Sequence, residues 1–147
     1  MHLISPARLS LEKIGEILSR HVPLQLSEES TLRIRTCREY LDRKIADSDD
    51  LFYGINTGFG SLCNIRISDD DIEQLQHNLV VSHACGTGDL VPPEIVRIML
   101  VLKIQSLSYG HSAVRVELVQ RLIDFYNEGV FPVIFELGSL GASGDLA

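Results

Sequence analysis

Three consecutive small residues, Ala142-Ser143-Gly144, could turn plain backbone into an electrophile. Held in a tight bend, the Gly144 amide nitrogen can attack the carbonyl carbon of Ala142. Loss of one water from the new ring and one from the serine then leaves an exocyclic methylidene. No standard side chain is an electron sink of this kind. Small neighbours suit the closure, because bulky or branched residues would block the approach of the two backbone atoms. Taken alone, the tripeptide also reads as a glycine-rich turn in which Ser143 caps a helix. The glycines flanking Ser143, at 141 and 144, are one position short of the G-x-S-x-G nucleophile elbow.

A second group of residues lies far upstream, in Tyr53-Gly54-Ile55-Asn56-Thr57-Gly58-Phe59-Gly60. Its glycines at 54, 58 and 60 match neither a phosphate loop nor the dinucleotide G-x-G-x-x-G pattern. They specify a tight loop, the usual place for presenting reactive side chains, with Tyr53 at its start. A free tyrosine titrates near about 10, so a tyrosine that works as a base needs cations or helix N-termini around it. The third group is Gln76-His77-Asn78-Leu79-Val80-Val81-Ser82-His83-Ala84, where His83 follows Ile72, Leu75 and Leu79 at helical steps. A histidine on such a face is a buried, hydrogen-bonded side chain or a ligand contact. Metal ligation is disfavoured, because His77 and His83 are six apart with no His-Glu-x-x-His motif. Asp69-Asp70-Asp71 lacks the glycine of a calcium loop and reads as a solvated helix start.

The Tyr53–Gly60 segment and the stretch Gly141-Ala142-Ser143-Gly144-Asp145-Leu146-Ala147, in that order, resemble the signatures of the histidine and aromatic amino acid ammonia-lyase family. The resemblance runs from about residue 51 onward with high specificity and more weakly before it. It implies that Ala142, Ser143 and Gly144 form 4-methylideneimidazole-5-one (MIO) without any metal, and that Tyr53 takes the substrate β-proton. Residues 76–84 are similar to the family's selectivity helix, in which Ser-His is the histidine-specific form. His83, with Ser82 beside it, would therefore meet a substrate imidazole. Gly60 and Asp145 would support the two loops. The implied reaction is elimination of ammonia from L-histidine to give trans-urocanate, as in histidine catabolism. Tyrosine or phenylalanine lyase and aminomutase chemistry are the alternatives within the family. An inactive helical interaction module is the alternative outside it. The resemblance further implies a cytoplasmic homotetramer. The family's other active-site groups would lie beyond Ala147. Two departures stand out: Ala113, where the family often has glycine, and Phe135-Glu136-Leu137 before the electrophile.

The elements that must position these groups follow from capping and periodicity. Ser10 caps a helix bearing Leu11, Ile14 and Leu18, and residues 22–26 read as a short strand. Ser27 caps a second helix striped by Ile34, Cys37, Leu41 and Ile45. Residues 51–55 read as another strand, and Ser68 with Asp71 as a capping box opening the His83 helix. A loop over 85–92 leads to Pro93, the first residue of a helix to about Ser108 that is apolar nearly all round, which calls for burial on most sides. A last helix carries Val116, Val119, Ile123 and Tyr126 and stops at Gly129, with 130–135 extended. The fold class is mainly α with a few short β-strands. Residues 1–110 form an N-terminal helical domain carrying the Tyr53 loop and the His83 helix, and 111–147 begin a central helix bundle.

The 147 residues can bury one core, and the net charge of −7 with scattered Lys and Arg argues against a nucleic-acid surface. Cys37, Cys63 and Cys85 offer neither a disulfide framework nor a Cys-x-x-Cys site, which fits a reducing compartment. The most apolar stretch, 95–102, is too short for a membrane span and carries Arg97. Ser143-Gly144-Asp145 resembles a helix start with its helix missing. The chain is therefore expected to be part of a longer protein, inactive alone and with its tripeptide uncyclised.

Overall fold

The computed structural model describes residues 1–138, so Ala142, Ser143, Gly144 and Asp145 lie outside the described residues. The chain is mainly helical. In order, its elements are β1 (His2–Ile4), α1 (Leu11–Ser19), β2 (Leu24–Leu26), α2 (Glu28–Ala46), α3 (Ile72–His83), β3 (Thr87–Leu90), α4 (Pro93–Ser108), α5 (Val116–Asn127) and β4 (Phe135–Leu137). Short 3-10 turns occupy Gly60–Leu62 and Asp69–Asp71. The chain divides into two units: Met1–Ala46 with Val91–Val133, and Asp47–Leu90 with Ile134–Ala147.

The first unit holds the apolar core. Ser10 Oγ accepts the Lys13 N–H at 3.2 Å and starts α1, while Ser27 Oγ accepts the Ser30 N–H at 3.1 Å and starts α2. Both bonds satisfy donors that a helix leaves orphaned in its first turn. Pro93 opens α4 at the position where a missing N–H costs nothing. Val101 and Ile104 of α4, Val119 and Ile123 of α5, Ile17 of α1 and Ile34 of α2 are fully or almost fully buried. The other side of α4 is different. Ile95, Met99 and Leu102 remain roughly half exposed, so the helix that reads as apolar all round is covered on only part of its circumference.

Strand β1 was not anticipated. It pairs in parallel with β2, Ile4 opposite Leu26, and three residues are too few to show a period. The β2 backbone is closed on another side by a side chain: Asn127 Oδ1 accepts the Leu24 N–H at 2.8 Å and Asn127 Nδ2 donates to the Leu24 carbonyl at 2.9 Å. Gly110 ends α4 with φ +73, and a Cβ there would lie 2.7 Å from backbone and side-chain atoms of Arg33, so α4 and α2 meet at a point where only glycine fits.

The second unit is built differently. Residues 53–56 form a turn, and the strand expected over 51–55 is not formed. The reason is local: Gly54 takes φ +70, and the Ile55 and Asn56 N–H groups both donate back to the Phe52 carbonyl. The expected loop over 85–92 contains β3, which pairs antiparallel with β4 in an irregular register, Thr87 opposite Leu137 and Leu90 opposite Phe135. Ser68 and Asp71 do pair, but side chain to side chain, Ser68 Oγ donating to Asp71 Oδ2 at 2.6 Å. A 3-10 turn precedes α3 as a result. Ile72, Leu75, Leu79 and His83 share one face of α3 as the period requires, yet all four are half-buried and none joins a core within the described residues.

Ala113, one of the two departures from the family pattern, has φ +49, a left-handed conformation in which a Cβ is penalised. Its carbonyl accepts a bond from Arg38 Nη1 at 3.4 Å. Arg38 also grips Asp42 through two nitrogens, and that hydrogen-bonded guanidinium holds the Asp42 carboxyl below its ordinary range. Relieving the strain should outweigh the extra chain entropy of glycine. Ala113→Gly is expected to raise unfolding stability by about 0.5–1 kcal/mol in a urea titration.

Candidate active site

The tyrosine loop rests on buried polar side chains. Among the described residues of the second unit, only Asn56, Thr57 and Gly58 are buried. Asn56 uses both ends of its carboxamide on its own chain: Oδ1 accepts the Phe52 N–H at 2.7 Å and Nδ2 donates to the Asp50 carbonyl at 2.9 Å. Thr57 does the same with one hydroxyl, which accepts the Gly54 N–H at 3.2 Å and donates to the Gly58 carbonyl at 3.0 Å. An outer strap closes the turn. Ile67 N–H donates to the Asn56 carbonyl, Gly58 N–H donates to the Ile65 carbonyl, and Arg66 Nη1 reaches the Asp49 carbonyl at 3.0 Å. Gly58 has no alternative, since a Cβ there would lie 2.6 Å from Leu62 Cβ.

This turn presents Tyr53 outward. Its side chain is 63% exposed and packs edge-to-face against Phe59, with ring centroids 5.9 Å apart at 78°. Gly60, with φ +57, directs its N–H at the Tyr53 hydroxyl oxygen at 3.3 Å. The structure therefore brings together two of the residues singled out from sequence, Tyr53 and Gly60. A backbone donor aimed at a phenol oxygen restrains the ring and leaves its edge open to a ligand.

Ser82 and His83 occupy the last turn of α3. His83 Nδ1 is 2.8 Å from the Leu79 carbonyl oxygen and 3.0 Å from Ser82 Oγ, and Ser82 Oγ donates to the same carbonyl at 3.0 Å. Ser82 thus turns back onto its own helix and onto His83. Among the described residues, no group of three His, Cys, Asp or Glu side chains is placed to hold a metal, and no helix is long and apolar enough to cross a membrane. The tripeptide expected to make the electrophile has the atoms that the ring needs: the Gly144 amide nitrogen, the Ala142 carbonyl carbon and a Ser143 hydroxyl able to leave as water. Asn56 and Thr57 were not singled out from sequence. Their signal was present, because Asn and Thr beside glycines commonly bond their own backbone in turns.

A mainly helical chain with an exposed tyrosine on a polar-braced glycine loop, followed by a helix ending in Ser-His, defines a recognisable class. The chain belongs to the aromatic amino acid lyase family, whose pattern matches residues 9–147. It is 47% identical over 144 residues to the histidine ammonia-lyase of Legionella pneumophila subsp. pneumophila, covering 98% of this chain and 28% of that protein. The phenylalanine aminomutase of Pantoea agglomerans superposes with a TM-score of 0.86 at 33% identity, over 95% of this chain and 27% of that one. The histidine ammonia-lyase of Trypanosoma cruzi superposes with a TM-score of 0.79 at 33% identity, over 93% and 26%. The chain spans a little over a quarter of the length of the curated relatives it matches.

The brace is open to a direct test. Asn56→Ala removes the acceptor for the Phe52 N–H and the donor for the Asp50 carbonyl, while the core of the other unit is untouched. Hydrogen exchange at the Phe52 amide is expected to accelerate about tenfold or more, the fold-change worth of one lost bond to a buried group. Amides of α4 and α5 should keep their protection.

Proposed function

We propose that the protein to which this chain belongs is an ammonia-lyase that eliminates ammonia from L-histidine to give trans-urocanate in the cytoplasm, acting as a homotetramer on a free amino acid. The observation that carries this reading is the Tyr53 loop: an exposed phenol with the Gly60 N–H at its oxygen, on a turn whose buried Asn56 and Thr57 side chains bond the loop's own backbone. The 47% identity to a histidine ammonia-lyase supports the substrate, as does the Ser82-His83 pair.

The β-proton of an amino acid is barely acidic and its amine leaves poorly, so elimination needs a base on one side and an electron sink on the other. Ala142, Ser143 and Gly144 would form MIO, which supplies the sink. Tyr53, acting as its phenolate, would take the β-proton at its oxygen. The Gly60 amide keeps that oxygen from swinging away, and Phe59 limits rotation of the ring. His83 meets the substrate imidazole and fixes which face of the β-carbon turns toward Tyr53. Asp145 supports the tripeptide from its C-terminal side. In this reading, residues 1–110 form the helical domain carrying the tyrosine loop and the selectivity helix, and 111–147 begin the central bundle with the electrophile.

The aminomutase alternative draws on the close superposition with the phenylalanine aminomutase, and it predicts a β-amino acid product. A non-catalytic helical module predicts no product at all. In the full-length protein, L-histidine is expected to yield urocanate, read from its ultraviolet absorbance. Tyr53→Phe should lower kcat about 100-fold or more, within the range attributed to general-base groups. Ser143→Ala should reduce turnover further. A Tyr53→Phe protein with undiminished kcat would contradict the assignment of the base.

A further inference from the structure

Within the second unit, the strand that follows α3 is paired with the strand that leads to the tripeptide, although residues 91–134 lie between them. Leu137, the last residue of β4, is five positions before Ala142. Two glycines make the pairing this close. A Cβ on Gly86 would lie 2.7 Å from Phe135 Cδ2 and 3.1 Å from Phe135 Cβ, so the aromatic side chain rests on bare backbone. A Cβ on Gly88 would lie 3.2 Å from Leu137 Cδ1, and its φ of +83 is one that side-chain-bearing residues rarely adopt. The strand curls round its partner as a result: Leu90 pairs with Phe135, and Gly86 lies against the same side chain. Phe135 and Leu137 belong to the stretch that departs from the family pattern. The two side chains introduced there are the two that the glycines receive.

Ring closure is demanding. The Gly144 nitrogen must bond to the Ala142 carbonyl carbon, whose oxygen leaves as water, and Ser143 then loses its hydroxyl with its Cα hydrogen as a second water. An amide nitrogen is a weak nucleophile, so the reaction depends on holding the two atoms together. Five residues span at most about 18 Å, and a lead anchored at Leu137 therefore keeps Ala142 within that radius of the paired strands. Without the pairing, the lead is tied to α3 only along the chain through residues 91–134, and the entropy of closing a loop grows with its length.

We infer that Gly86 and Gly88 are positioning residues for ring closure: they seat Phe135 and Leu137, hold β4 on β3, and so anchor the lead into residues 142–144. The inference rests on the reading of that tripeptide as the source of MIO. It gives the glycines after α3 a part in making the electrophile and none in contacting the substrate.

The test follows the Ala142–Gly144 peptide of the full-length protein by mass after a pulse of synthesis, and divides kcat by the fraction of chains that have lost two waters. Gly86→Ala drives a methyl group into Phe135 and is expected to slow the two-water loss about tenfold, the effect of a strained packed contact. Leu137→Ala is expected to slow it about two- to fivefold, the effect of one cross-strand pair. Leu137 is 60% exposed, so its truncation spares the buried groups and decides the matter should the Gly86 variant fail to fold. In both variants kcat per cyclised chain should stay at the wild-type value. Loss of water at the wild-type rate in Leu137→Ala and in folded Gly86→Ala overturns the inference and leaves the lyase reading standing. So does a normal rate of closure with a reduced kcat per cyclised chain. A wild-type protein that never loses the two waters overturns both.

Discussion

A buried carboxamide that must find partners is the constraint on which the tyrosine loop depends. Leaving either end of Asn56 unpaired would cost about 1–3 kcal/mol, and both ends are paired with backbone at positions 50 and 52. Those two bonds fold the chain back before Tyr53. The Thr57 hydroxyl, spent on Gly54 and Gly58, folds it back again after Tyr53. Between the two, Tyr53 is left exposed. Its exposure and its contact with the Gly60 N–H follow from this bracing rather than from any apolar packing beneath it.

The two units are held by different physics. In the first, aliphatic side chains from α1, α2, α4 and α5 exclude water from a common core, and stabilisation scales with apolar area removed from solvent. In the second, the buried groups among the described residues are polar or backbone, and order comes from satisfied hydrogen bonds in tight turns. Such a segment opens more readily than a core helix. That suits a loop whose task is to offer a side chain to a ligand.

What was legible in the sequence tracks how local its cause is. Ser10, Ser27, Pro93 and Gly129 act within one helical turn of themselves, and the helices they bound fall where capping and periodicity place them. The pairing of β3 with β4 joins residues far apart in the chain, and nothing near Thr87 or Phe135 reveals it. Residues 51–55 misled for the opposite reason. Their run of aliphatic and aromatic residues suggests a strand, and a side chain that favours the turn, Asn56, is one residue beyond. Tyr53, Gly60 and His83 were visible as chemistry, and the structure adds how each is held. Ser82 was visible too, and the structure adds its contacts with the Leu79 carbonyl and His83 Nδ1.

We propose that the tripeptide at 142–144 becomes an electron sink that works with the phenol presented by the Asn56-braced loop. The most direct test is the mass of the peptide spanning Ala142 to Gly144, taken from the intact full-length protein. That peptide is expected to be two water molecules lighter than its sequence, with the loss absent in Ser143→Ala. An unmodified mass in an enzyme that still deaminates histidine would contradict it.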